Sequence, residues 1–223
     1  NPGFAYLANV IFAEHIASAC NYLQIPLVHI STDHLFSGLF PLATEKSLVN
    51  PVNIYASTKA EAEQKVLKAC PNALVVRTNF YGWGSSYRSS LTDQIIKALQ
   101  YGREFHAFTD VFFTPILATD LAYTIFELVE HDAFGVFNVV GNERLSKYEF
   151  AVSVVETFAL PASLLHPISI EDKPLLVPRP LDLSLSNLKA TNFLSRSFGN
   201  VADGLCRLRD QSSNGFQEEL QKL

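Results

Sequence analysis

Two short, uninterrupted apolar runs, Leu27-Val28-His29-Ile30 and Leu74-Val75-Val76, flank an Ala-, Glu- and Lys-rich stretch at 53–70. A strand that is apolar on both faces must be covered on both, as in a parallel sheet sandwiched by helices. Strand, helix, strand in that order predicts a βαβ unit with a right-handed crossover. Ligands in such sheets sit beyond the carboxyl ends of the strands. Ser31-Thr32-Asp33 and Thr78-Asn79-Phe80-Tyr81 are thereby expected on one rim.

The rest of the chain continues the alternation. Ala5, Ala8, Asn9, Phe12, Ile16, Ala19 and Leu23 recur at helical spacing, so 4–23 is expected to be a helix with one face on the sheet. Helices are predicted over 89–101, 120–131 and 147–159, with strands at 104–108 and 135–140. The helix over 147–159 has a start signal in Ser146-Lys147-Tyr148-Glu149, whose Ser and Glu have capping-box spacing. The proline-rich stretch 161–184 reads as extended or looped with a strand at 165–170. Short helices at 186–195 and 200–210 precede a polar tail expected to fray after Gln211.

Composition narrows the function. The net charge of −5 and the lack of a dense Lys/Arg stripe argue against nucleic acid or an anionic membrane as the main partner. A small-molecule ligand is favoured instead, and whether the chain forms a homodimer is left open. No apolar run approaches the ~18 residues of a membrane-spanning helix. Cys20, Cys70 and Cys206 are odd in number and far apart in apolar helical patterns, which reads as reduced core thiols of a cytoplasmic protein. His29 and His34 lack further ligands at suitable spacing for a metal, and none is predicted.

Tyr55 and Lys59 stand four residues apart on one helix face, where a phenol and an ammonium converge on a common ligand. A free tyrosine titrates near ~10, and a nearby cation favours its phenolate and brings it into working range. A Tyr and a Lys at this spacing also occur by chance on many solvated faces. The polar clusters at 31–33 and 77–82, on the same rim, favour the functional reading. Phe105, Phe108, Phe112 and Phe113 read as packing, with a substrate loop over 109–115 as the alternative. Asp33 is as readily a structural acceptor in its turn as a functional group.

Three stretches resemble the extended short-chain dehydrogenase/reductases, and among them the dTDP-4-dehydrorhamnose reductase-like branch. Ile30 to Gly38 is similar to that branch's Ser-Thr-Asp signature, Tyr55 to Lys59 to its Tyr-x-x-x-Lys, and Arg179-Pro180 with Ser184 and Leu185 to its Arg-Pro-x-x-Ser motif. The resemblance implies an α/β fold: a Rossmann-type parallel sheet whose N-terminal part is missing, with a smaller C-terminal substrate lobe. Residues 1–103 would be the C-terminal part of the dinucleotide-binding domain. Residues 104–223 would be mostly substrate lobe, with 116–140 returning to the sheet.

By the same resemblance Tyr55 is the general acid, Lys59 holds the nicotinamide ribose and Thr32 hydrogen-bonds the substrate carbonyl. NADP or NAD would contact Ser31, Tyr55, Lys59, Thr78, Asn79 and Phe80. A nucleotide-sugar substrate would contact Thr32, Asp33, Asn79, Tyr81 and Arg179. The sequence departs from the family in lacking any Gly-x-Gly-x-x-Gly or Gly-x-x-Gly-x-x-Gly, the turn whose amides cradle a pyrophosphate. Since Asn1-Pro2-Gly3 leads straight into a helical pattern, the first βα units are expected to be missing and the chain alone to bind either cofactor poorly. The leading expectation is an NAD(P)-dependent reductase of a nucleotide-linked keto-sugar. The rivals are an epimerase or dehydratase of the same superfamily and a non-catalytic regulatory subunit.

Overall fold

The computed structural model describes residues 2–173, 177–220 and 222. Its first helical stretch is continuous but not uniform: α1 (Pro2–Tyr6) passes through a π-helical turn (Leu7–Ile11) into α2 (Phe12–Leu23). The wider turn carries Asn9, whose amide donates to Thr58 Oγ1 at 3.0 Å. Gln24 ends the helix in the left-handed region. The chain then forms β1 (Val28–Ile30), α3 (Ile54–Ala69), β2 (Leu74–Arg77), β3 (Phe80–Tyr81), α4 (Leu91–Gln100) and β4 (Phe105–Phe108). Two-residue strands follow, β5 (Phe112–Phe113) and β6 (Ile116–Leu117), then α5 (Ala118–Glu130), β7 (Gly135–Asn138) and β8 (Leu145–Ser146). The remaining elements are α6 (Lys147–Thr157), β9 (Leu165–Ile168), α7 (Leu188–Leu194), α8 (Val201–Ser213) and α9 (Phe216–Leu220).

The fold is α/β. β1, β2 and β7 make a three-stranded parallel sheet with β2 at its centre. All four residues of β2 are buried, which is why its sequence is an unbroken apolar run up to Arg77. β7 aligns Gly135 to Asn138 with Leu74 to Arg77, so the strand after α5 closes one side of β2. β1 has only β2 beside it among the described residues, and Ile30 stays 41% exposed. Three smaller pairs complete the sheets: β3 with β6 and β4 with β9, both parallel, and β5 with β8, antiparallel.

One core gathers around Phe113, Phe150, Val154, Leu205 and Leu208, and a second packs α5 on the β2–β7 face. The tail expected to fray is helical through Ser213 and again over Phe216–Leu220, while Gln221 and Leu223 lie outside the described residues. Residues 174–176 of the proline-rich stretch also lie outside them. The cysteine reading needs correction, because Cys70 is buried but Cys20 is only half-buried and Cys206 is exposed on α8. Among the described residues no helix is long and apolar enough to cross a membrane.

A close approach fixes α8 against the sheet. A Cβ added at Gly204 would collide with the hydroxyl of buried Tyr81. Gly204→Ala is therefore expected to cost ~1–3 kcal/mol by overpacking, read as a lower urea midpoint. Removing the hydroxyl with Tyr81→Phe should return part of that loss, and equal loss in both backgrounds would refute the clash.

Candidate active site

The rim is assembled from the ends of β1 and β2 and the start of α3. Ser31 N extends the β1 ladder by donating to Val76 O at 2.7 Å, which fixes where the chain leaves the sheet. Thr32, buried, donates its Oγ1 hydrogen to Asp33 Oδ1 at 3.2 Å and accepts from His34 N at 3.3 Å. The Asn79 amide donates to the other oxygen of Asp33, so the two strand ends are joined by side chains. Asp33 thus serves the turn as an acceptor, whatever else it does.

α3 begins where Asn53 stops the preceding loop: its side-chain oxygen accepts from Ala56 N at 2.9 Å, capping the helix. Its amide donates to Pro178 O at 3.0 Å, which ties the helix start to the stretch carrying Arg179. One turn into the helix, Lys59 Nζ reaches across to Ile30 O at 2.6 Å. Burial lowers the Lys59 pKa, with Glu63 opposing the shift. Tyr55 is 50% exposed, and its ring meets His34 edge-on with centroids 6.1 Å apart. Tyr55, Lys59 and the Thr32–Asp33–His34 turn therefore share one neighbourhood.

A cavity of about 400 Å³ adjoins the turn, lined by His34, Asn79, Phe108, Lys147, Arg179 and Pro180. Gly38, at φ +79°, lets the loop after Asp33 pass against Pro180, where any side chain would meet the proline ring and the backbone of Leu181. Downstream, Ser184 Oγ donates to Asp182 Oδ1 and accepts from Leu42 N at 2.7 Å, which stitches the Arg-Pro segment to the same loop. Val111, Phe105 and Phe108 also line the cavity, so the 105–115 segment divides between packing and lining.

Not every expected residue reaches this place. Tyr81, expected against the sugar, packs instead into the core with its ring edge-on to Phe150 at 5.1 Å. Burial, and after it Asp120, raises its pKa and keeps the phenol protonated. Phe80 leaves the opposite face of β3 and is exposed outside the cavity lining. Thr78 and Ser31 are buried at the strand ends, and neither hydroxyl has a hydrogen-bond partner among the described residues.

Several lining residues, among them His34 and Lys147, were not singled out as ligand groups from the sequence. His34 faces the cavity with its pKa lowered, first by burial and then by the charges of Arg179 and Lys147, against the pull of Asp33. Lys147 opens α6 and lays its ammonium over the Phe113 ring, 3.1 Å from the centroid. Its signal was the capping box at Ser146, which placed a cation at the positive end of a helix, where charge of that sign is disfavoured.

A parallel sheet with helices on its faces and a polar cluster with an adjoining cavity at its carboxyl rim make this a Rossmann-like α/β protein. The chain belongs to the RmlD substrate binding domain family, whose model matches residues 1–205. It is 31% identical over 188 residues to methionine adenosyltransferase 2 subunit beta of Xenopus tropicalis, covering 80% of this chain and 55% of that protein. It is 28% identical over 185 residues to the spore coat polysaccharide biosynthesis protein SpsK of Bacillus subtilis, covering 82% of this chain and 64% of that one. The chain thus spans less than two thirds of either relative's length.

Among solved structures it is similar to a dTDP-4-dehydrorhamnose reductase from Bacillus anthracis in complex with NADP. The TM-score is 0.87 at 25% identity, covering 94% of this chain and 74% of that one. A hypothetical dTDP-4-dehydrorhamnose reductase from Sulfolobus tokodaii matches with a TM-score of 0.78 at 31% identity, covering 89% and 70%.

Proposed function

We propose that this chain is the substrate-binding and proton-donating part of an NAD(P)-dependent reductase of a nucleotide-linked keto-sugar. The observation that supports the reading is that Tyr55 and Lys59 sit beside the Thr32–Asp33–His34 turn, which His34 and Asn79 join to one cavity. NADP or NAD fits these residues at its nicotinamide end: Lys59 offers an ammonium, and Ser31 and Thr78 offer buried hydroxyls without partners. A glycine-rich turn for its pyrophosphate is not in this sequence. The bound cofactor supplies hydride.

The chain's own groups then do the rest. The Tyr55 hydroxyl protonates the carbonyl oxygen, and Thr32, on turning its hydroxyl hydrogen from Asp33 to the substrate, orients that oxygen by a hydrogen bond. Lys59 stands beside the proton donor as a fixed positive charge, and Arg179 faces the anionic part of the substrate.

A second reading, a non-catalytic regulatory subunit, is favoured by the relatives named as methionine adenosyltransferase 2 subunit beta. One assay separates the two. The chain, fused behind a glycine-rich dinucleotide-binding unit, is mixed with NADPH and a dTDP-4-keto-sugar, and cofactor oxidation is counted against alcohol formed. The reductase reading expects one-to-one stoichiometry. Epimerised product without net NADPH oxidation supports the epimerase, and no turnover together with altered methionine adenosyltransferase rates supports the regulatory subunit.

A further inference from the structure

Lys147 is a costly residue where it stands. It occupies the first position of α6, the positive end of an eleven-residue helix, lines the cavity, and lays its ammonium over the ring of Phe113. No carboxylate lies within ion-pair distance of it among the described residues. Asp33, whose field reaches it, already accepts from Asn79 and Thr32. Arg179 lines the same cavity, and its charge adds to the strain on the ammonium. A second cation in the cavity beside Arg179, at a helix terminus of its own sign, is offset inside the chain by the Phe113 ring and the field of Asp33 and by no ion pair among the described residues. Such local conflicts mark sites that serve a ligand.

We propose that Lys147 is the specificity-determining cation of this cavity and that, opposite Arg179, it holds an anionic oxygen group of the ligand, a phosphate or a carboxylate. The inference rests on the cavity being the ligand site, as in the reading above, but it does not need the reduction. The Phe113 ring fixes the direction of the ammonium, because a cation is held on the face of the ring and has little freedom to follow a mobile ligand. The ligand's anion is therefore expected next to the Asp33 turn, where Lys147 and Arg179 both reach.

Burial pushes the Lys147 pKa down to about 8, with Arg179 acting in the same direction and Asp33 against it. The site is then charged at neutral pH and loses its ammonium as pH rises through that value. His34 and His106 also face the cavity, and burial lowers the pKa of His34, away from this window. The terminal phosphate of dTDP, with a second pKa near ~6, and a uronate carboxylate are fully ionised across it, whereas inorganic pyrophosphate still loses its last proton there, so the pH comparison is read on dTDP and galacturonate. A fall in affinity between pH 7.5 and pH 9.5 would therefore report the lysine.

The test is calorimetric binding to the chain of inorganic pyrophosphate, dTDP and galacturonate, each at pH 7.5 and 9.5. Lys147→Met keeps an unbranched side chain and removes the charge, and Lys147→Arg restores a charge that does not titrate in this range. Wild type is expected to bind at least one probe and to lose affinity at the higher pH. Lys147→Met should weaken that probe roughly 10–100-fold at pH 7.5, the size expected of one charged hydrogen bond. Lys147→Arg should bind at both pH values alike.

Pyrophosphate and dTDP binding with no galacturonate binding assigns the site to a diphosphate, and the reverse assigns it to an acidic sugar. Binding by none of the three, equal affinity in Lys147→Met, or a pH dependence that survives in Lys147→Arg overturns the proposal. Should Lys147→Met fail to fold, the wild type and Lys147→Arg pH profiles alone decide it. Lys147-dependent binding in a protein that never oxidises NADPH would keep this site and remove the reductase.

Discussion

Tyr55→Phe, made in the chain fused behind a dinucleotide-binding unit, should lower kcat for keto-sugar reduction by about 10²–10⁴-fold, the usual contribution of a positioned general acid. The change removes one oxygen from a side chain that is half exposed and whose ring keeps its edge contact with His34. Folding and ligand affinity are accordingly expected to stay within about threefold of wild type, since among the described residues no hydrogen bond depends on that hydroxyl. Stopped-flow oxidation of NADPH reads the chemical step, and equilibrium titration reads the binding. A loss below tenfold would show that the proton comes from elsewhere and would shift the balance to the regulatory reading.

The second large effect concerns stability. Arg77 and Glu63 form a buried bidentate pair, with Nη2 to Oε2 at 2.7 Å and Nε to Oε1 at 3.0 Å, and both side chains are nearly inaccessible. The guanidinium also lies over the Phe36 ring, and its Nη1 has no partner among the described residues. Glu63→Ala leaves that charge buried and uncompensated, which should cost ~3–5 kcal/mol. For a chain of this size that amounts to a drop in Tm of roughly 6–20 °C.

Replacing both partners by methionine should restore most of the loss, because the desolvation penalty disappears with the charges. Thermal unfolding followed by circular dichroism compares the three proteins. If Glu63→Ala melts within 2 °C of wild type, the pair does not hold α3 to β2, and the placement of Tyr55 and Lys59 must have another cause.

What the sequence discloses about this fold depends on how many residues each element has for repeating a pattern. β2 was legible because Leu74 to Val76 are buried on both faces, α3 because its stretch is rich in Ala, Glu and Lys, and α6 because the Ser146 capping box precedes it. β3, β5, β6 and β8 have two residues each, too few for any period, and only their pairing in space defines them. Tyr81 was misplaced for a related reason. In a strand consecutive side chains leave opposite faces, and the rim position of Phe80 and Tyr81 did not say which of them turns inward.

Thr32, Asp33, Tyr55, Lys59, Asn79 and Arg179 were named from motifs; Asn79 and Arg179 line the cavity, and the other four lie at the adjoining turn and helix start without lining it. Lys147 escaped notice because its neighbours Ser146 and Glu149 explained themselves as a helix cap. Which wall the intervening ammonium faces depends on Phe113, thirty-four positions earlier. The π-helical turn at Leu7–Ile11 left no trace either, as its apolar spacing passes for an ordinary helix.

The bond from Lys59 Nζ to the carbonyl of Ile30 has a consequence of its own. A lysine side chain on a free surface samples many rotamers, and immobilising it when a ligand arrives costs on the order of 0.5–1.5 kcal/mol of affinity. Here the last carbonyl of a strand holds it already, so that loss is met during folding. A partner approaching this rim finds the charge preorganised.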